Sequence, residues 1–204
     1  MNQIIQFFRD LFTNPTELQD TRLPWWVMTG IAFSALVCAS LYFQWWLEGE
    51  PCEQCVYIRE AQFFILIAGA LILVNPKQVG LKLAGLTGAW VGVIYGMVCS
   101  VKLAGIEKAM QKLNEGGDLF ASGAGANACS LEPKFLTGLP LDQWWPTEFK
   151  PGGICGEFEW SLLGFGMADY CIVIFAAFGL CLAPLTYGFI KNIVKGKIGS
   201  AITS

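Results

Sequence analysis

The sequence predicts an all-α membrane protein: a four-transmembrane-helix bundle with a long outer loop between helices 3 and 4. Three observations predict it. Of the 204 residues, 54% are hydrophobic, and the mean hydropathy is +0.51, more apolar than a water-soluble domain of this size. Four apolar runs, near residues 25–47, 56–74, 81–105 and 165–190, are long enough to cross a bilayer. The first run lies between Trp25-Trp26 and Trp45-Trp46. At the α-helical rise these pairs stand about 28 Å apart, the spacing of two aromatic belts.

The elements follow in order. Residues 1–24 carry Ile4, Ile5, Phe8, Leu11 and Phe12 at helical spacing among polar residues, which predicts an amphipathic segment on the membrane surface. No short apolar core with a small-residue cleavage site precedes the first run, so no cleaved signal peptide is expected. Pro24 opens the first span. Asn75 to Gly80 reads as a tight turn between spans two and three. The third span repeats Gly88, Gly92 and Gly96 on one face, which lets a neighbouring helix approach closely.

Residues 106–164 hold four lysines against eight acids and no run long enough to span. Gly116-Gly117 and Ser122 to Asn127 are flexible by composition. Leu139, Leu141, Trp144, Trp145 and Phe149 suit the lipid headgroup layer. The domains expected are a cytoplasmic N-terminal segment (1–24), a transmembrane domain (25–190, outer loop 106–164) and a cytoplasmic tail (191–204). The N-terminal segment, the 75–80 turn with Lys82, and the tail hold seven of the thirteen Lys and Arg residues. The positive-inside rule then places both termini in the cytoplasm and the two other loops outside, in the periplasm of a Gram-negative cell.

Composition also excludes. A net charge of −3 provides no basic field for nucleic acid. The chain has no histidine, which removes histidine catalysis and histidine metal ligation.

The residues that carry chemistry are cysteines. Glu50-Pro51-Cys52-Glu53-Gln54-Cys55-Val56-Tyr57-Ile58-Arg59 sits where an acidic loop becomes the second span. Cys52, Cys55 and Arg59 fall on one helical stripe, so two thiols and a cation share a face. The helix N-terminus favours a thiolate at Cys55, while Glu53 opposes it. Arg59 lies about one turn inside the membrane, where a charge is costly. It either snorkels or stabilises an anionic thiolate or reduced cofactor.

Cys129 and Cys155 lie in the outer loop, whereas Cys38, Cys99, Cys171 and Cys181 lie within spans and read as small buried residues. Three readings of the outer four stand open: a zinc site, static disulfides, or exchanging disulfides. The zinc reading lacks two close-spaced pairs. The exchanging reading is favoured by the flexible sequence before Cys129 and the Pro151-Gly152-Gly153 approach to Cys155, which let thiols change partners.

Pro51-Cys52-x-x-Cys55-x-x-x-Arg59 at the head of the second span, with a loop cysteine pair, resembles the DsbB family of bacterial membrane disulfide oxidoreductases. Leu139-Pro140-Leu141-Asp142-Gln143-Trp144 and Cys155-Gly156-Glu157-Phe158-Glu159-Trp160 resemble that family's loop. Cys-Glu-Gln-Cys-Val-Tyr-Ile-Arg and Phe149-Lys150-Pro151 look most like its DsbI branch. The resemblance covers about residues 25–190.

It implies redox disulfides Cys52–Cys55 and Cys129–Cys155, and Cys55 and Arg59 against a membrane quinone, ubiquinone or menaquinone. It also implies a periplasmic thioredoxin-fold partner, DsbA-like or DsbL-like, and a place in the bacterial inner membrane. The partner's thiolate would attack Cys129, released Cys155 would attack Cys52, and Cys55 would be left as the thiolate that faces the quinone. Some relatives carry a histidine after the third span; here Glu107 or Lys108 stands in that region. Two rivals remain: a non-catalytic membrane assembly protein with structural disulfides, and a thiol enzyme of the vitamin K epoxide reductase type, whose helix arrangement is not seen in this sequence.

Overall fold

The structure, a computed structural model, describes residues 9–114, 132–153, 160–194 and 196. Four of its helices are long and apolar enough to cross a membrane: α1 (Leu23–Trp46), α2 (Glu53–Val74), α3 (Val79–Asn114) and α4 (Met167–Val194). The four predicted spans are therefore present, and α2 and α3 each extend beyond the predicted run at their outer ends. Cys129, Cys155, the flexible segments 116–117 and 122–127, Ile4, Ile5 and Phe8 lie outside the described residues.

Contacts group the chain into two units. The first comprises Met1–Phe33, Phe63–Val93 and Ala176–Ser204. Here Pro24 occupies the first turn of α1, where its missing N–H costs nothing. Trp25 is fully buried and its indole N–H donates to the Gln19 carbonyl at 3.0 Å. A short helix, Pro15–Leu18, lies against α4, where a Cβ on Gly188 would sit 2.7 Å from the Pro15 carbonyl oxygen. Lys82, buried, pairs with Asp20 and faces the Phe189 ring, so this cation is held by the protein.

The second unit comprises Ser34–Gln62 and Ile94–Phe175. The glycine stripe of α3 has its predicted role in both units. A Cβ on Gly96 would enter the ring of Phe175, which is wholly buried, and one on Gly88 would touch the Ala68 Cβ at 3.5 Å. Large apolar side chains such as Ile31, Phe33, Ile67, Val98 and Leu180 are exposed, as lipid-facing positions should be.

Two features of the second unit depart from regular α structure. The outer part of α1, Cys38–Trp46, is a π-helix, a rare form that recurs at functional sites. Before α4 the chain makes a small antiparallel hairpin, β1 (Ser161–Leu162) with β2 (Phe165–Gly166). Its two turn residues both have positive φ, Leu163 at 54° and Gly164 at 82°, which matches the twist of a two-residue hairpin. Of the residues read as suiting the headgroup layer, Leu139, Trp144 and Trp145 are exposed, whereas Leu141 and Phe149 are buried and so do not face it. Phe149 meets Phe135 edge-on, and Phe135 meets Tyr57 of α2. The outer loop thus has an aromatic core of its own.

Candidate active site

The site begins at the first turn of α2. Cys52 immediately precedes the helix, and its carbonyl accepts the N–H of Val56. Its sulfur accepts the N–H of Cys55 at 3.4 Å. Cys52 therefore occupies a capping position more often filled by an oxygen side chain. The Cys52 and Cys55 sulfurs are 2.9 Å apart, both as free thiols. That contact, together with burial, pushes the Cys52 thiol far above the ordinary thiol range. Either thiol can donate to the other across this contact. The N–H of Cys55 is given to the Cys52 sulfur, and Cys55 itself lines both of the cavities described below.

Arg59 lies one turn beyond Cys55 and is 4% exposed, so it does not snorkel. Four acceptors hold it. Its Nη1 donates to Gln44 Oε1 and the Glu148 carbonyl, both at 2.9 Å, and pairs with Glu148 Oε2 at 3.3 Å. Its Nη2 donates to the Ala39 carbonyl at 3.4 Å. Ser40 donates to the same Glu148 carboxylate at 2.6 Å. Ala39, Ser40 and Gln44 all belong to the π-helical segment, which supplies two of the four acceptors and, through Ser40, a hydrogen bond that holds the carboxylate of Glu148.

Two cavities meet these residues. A small one, about 50 Å³, is lined by Cys52, Cys55, Arg59, Glu50 and Glu107 among others. Glu107, and not Lys108, reaches it. Glu107 accepts the N–H of Ala168, and its carboxylate occupies space that a Cβ on Gly166 would fill. The larger cavity, about 490 Å³, is lined by Cys55, Ile58, Arg59, Gln62, Cys38 and Cys171, with a wall of aromatic rings. Phe43 meets Trp160 edge-on at 4.9 Å between ring centres, and Trp160 meets Tyr170 at 5.8 Å. Its size and apolar lining suit a small-molecule site.

The loop is fastened next to the thiols. Gly152 and Gly153 donate their N–H groups to the Pro51 carbonyl at 3.0 and 3.4 Å. A Cβ on Gly153 would come within 2.7 Å of the Glu50 carbonyl oxygen, so glycine is required for this approach. Glu60, buried, accepts the N–H groups of Leu136 and Thr137, and the Tyr57 hydroxyl accepts that of Lys134. The Tyr57 hydroxyl in turn donates to Glu53 at 2.8 Å, which gives that acid a local partner.

Of the residues singled out in the sequence, Cys52, Cys55 and Arg59 come together, and Glu107 joins them. Gln44, Ser40, Glu148, Gln62 and Cys171 had not been picked out for the site. Gln62 had a usable signal, since it continues the stripe of Cys52, Cys55 and Arg59 at the same spacing. No cluster of potential metal ligands occurs among the described residues.

Comparison with known proteins agrees with this geometry. Residues 21–185 match the family described as Disulfide bond formation protein DsbB. A chain of Shewanella oneidensis, provisionally named protein-disulfide oxidoreductase DsbI, is 43% identical over 97% of this chain and 95% of its own length. The protein-disulfide oxidoreductase DsbI of Salmonella typhimurium is 40% identical over 76% of this chain and 69% of its own. That of Escherichia coli O1:K1 is 40% identical over 73% and 66%. With four apolar spanning helices and a paired-thiol site at the head of the second, the chain belongs to the DsbB family, as a multi-pass membrane oxidoreductase of disulfide bond formation.

Proposed function

We propose that this protein reoxidises a periplasmic thioredoxin-fold thiol oxidase, DsbA-like or DsbL-like, and passes the electrons to a membrane quinone. One observation carries the reading: a close pair of thiols opens through Cys55, beside a buried cation, onto a large apolar cavity. The cavity fits a quinone by chemistry as well as by size. Its wall is aromatic and apolar, and its few polar groups include Arg59 and a buried Gln62 oxygen with no hydrogen-bond partner among the described residues. A bound quinone supplies a lipid-soluble two-electron sink.

The chain's own residues do the rest. The partner's thiolate attacks Cys129 of a Cys129–Cys155 disulfide, and Cys155 leaves as a thiolate. Cys155 then attacks Cys52 of the oxidised Cys52–Cys55 pair, and Cys55 leaves as the thiolate. Exchange of this kind needs a thiolate attacker and a good leaving thiolate. The seat of Gly152 and Gly153 on Pro51 supports this order, because Cys155 is tethered two residues beyond it, at most about 7 Å of chain. The partner's second thiol attacks the mixed disulfide and frees Cys129, and Cys129 then attacks Cys155 of the Cys52–Cys155 bridge, which restores the loop disulfide and releases Cys52 as a thiolate. Arg59 faces the charge on Cys55, and Glu107 lines the same small cavity as both thiols. The cysteines are outside and both termini inside, as the charge asymmetry predicts.

The direct test is turnover of decyl-ubiquinone or menadione by the purified protein with a panel of reduced thioredoxin-fold oxidases. Absence of electron transfer with every pairing would refute the reading. With the unaltered chain, a partner whose second thiol is replaced by serine is expected to stay in a mixed disulfide with Cys129, seen on a non-reducing gel and mapped by peptide mass spectrometry; a bridge to Cys155 instead overturns the order of attack. Arg59→Ala is expected to raise the quinone KM roughly tenfold or more, the worth of a charge-assisted hydrogen bond at about 1.5–3 kcal/mol. An unchanged KM in a kinetic titration would remove Arg59 from the quinone site.

A further inference from the structure

We propose that Gln62 is a ligand-binding residue of the large cavity, the second polar contact for the ring of the electron acceptor. The inference rests on the reading that the cavity takes a quinone. Gln62 is 5% exposed and lines the cavity, and its Oε1 is buried without a hydrogen-bond partner among the described residues. In a membrane-embedded helix such an atom has no water to turn to. An orphaned buried amide is unfavourable in the empty protein and is relieved by a ligand that brings a polar group to it.

The ligand it suits is a flat ring with an oxygen at each end. Arg59 and Gln62 are three residues apart on α2, so about 4.5 Å along the helix axis separates their backbones. Around them the wall is Ile58, Ala39 and aromatic rings. A carboxamide has an N–H donor and a carbonyl acceptor, and the two ends are exchangeable by rotation. It therefore serves a ring carbonyl as donor and a ring hydroxyl as acceptor. A guanidinium offers only donors. Gln62 can thus hold the acceptor before and after it takes up two electrons and two protons, whereas Arg59 favours the carbonyl or anionic form.

The test measures binding and stability on the full chain, purified and stripped of quinone. Decyl-ubiquinone is titrated by quenching of tryptophan fluorescence, with Trp160 in the cavity wall as reporter and Trp160→Phe as its control. Gln62→Met keeps the length and packing of the side chain and removes both polar ends. It is expected to weaken binding about tenfold, equivalent to about 1.4 kcal/mol. It is also expected to raise the Tm of the quinone-free protein, because the orphaned oxygen is gone. A residue with a merely structural role would move binding and stability in the same direction. Gln62→Leu repeats the experiment with a different apolar shape. If the wild type binds and both variants bind equally well, Gln62 is not a contact. If binding and Tm fall together, the role is structural and the proposal is overturned. If the wild type binds no quinone at all, this proposal and the functional reading beneath it fail together.

Discussion

Cys55→Ser is expected to reduce partner-dependent quinone turnover to the uncatalysed background. A serine hydroxyl stays protonated at neutral pH and is neither a nucleophile nor a leaving group for sulfur exchange. The substitution conserves size and changes one atom, so the helix, capped by the sulfur of Cys52, should still form. Cys155 then has no Cys52–Cys55 bond to attack, so the relay stops at the loop, and peptide mass spectrometry after reaction with the reduced partner should find Cys52 as a free thiol. Cys181→Ser is the control, because Cys181 belongs to the other unit and lines neither cavity. Its turnover should stay within about twofold of wild type, as for a small, half-buried thiol without a role. Normal turnover by Cys55→Ser would end the scheme; loss in both variants would point to misfolding instead.

The sequence revealed the parts of this site that repeat at a fixed period, and much less of those that meet across the chain. Apolar runs of bilayer length located all four helices, because lipid leaves the backbone no other open choice. The spacing of Cys52, Cys55 and Arg59 located the thiols and the cation on one face. That same spacing reached Gln62, but an amide in an apolar helix has no charge to draw attention. What the spacing did not carry was the cation's support. Ser40 and Gln44 become its neighbours through a π-helical segment that no residue in Cys38–Trp46 announces. Glu148 sits 89 residues from Arg59 in a stretch whose tryptophans suggested a membrane surface. That reading failed for Leu141 and Phe149, which turn inward while Trp144 and Trp145 turn out. Short helices joined at Trp145 make this division, and hydrophobicity alone does not distinguish the two faces.

The same ion pair gives the second large expectation: Glu148→Ala should destabilise the protein more than Arg59→Ala. The two partners are unequally placed, with side-chain exposure of 5% for Arg59 and 32% for Glu148. Removing Arg59 leaves a carboxylate that is already a third exposed and can hydrate. Removing Glu148 leaves a cation almost wholly enclosed, next to an apolar cavity. Stranding a buried charge costs about 3–5 kcal/mol, and the exposure of Glu148 argues for the lower end of that range. Glu148→Gln should fall between, since it keeps an acceptor for Arg59 and Ser40 but loses the charge. The carbonyl of residue 148 still accepts from Arg59 in every variant, so the loop need not detach. Thermal unfolding in one detergent, with quinone removed, measures the order. Should Arg59→Ala prove the more damaging, Glu148 does not neutralise the cation. Gln44 and the Ala39 carbonyl would then be its main support, and the cation's charge would be balanced by Cys55 alone.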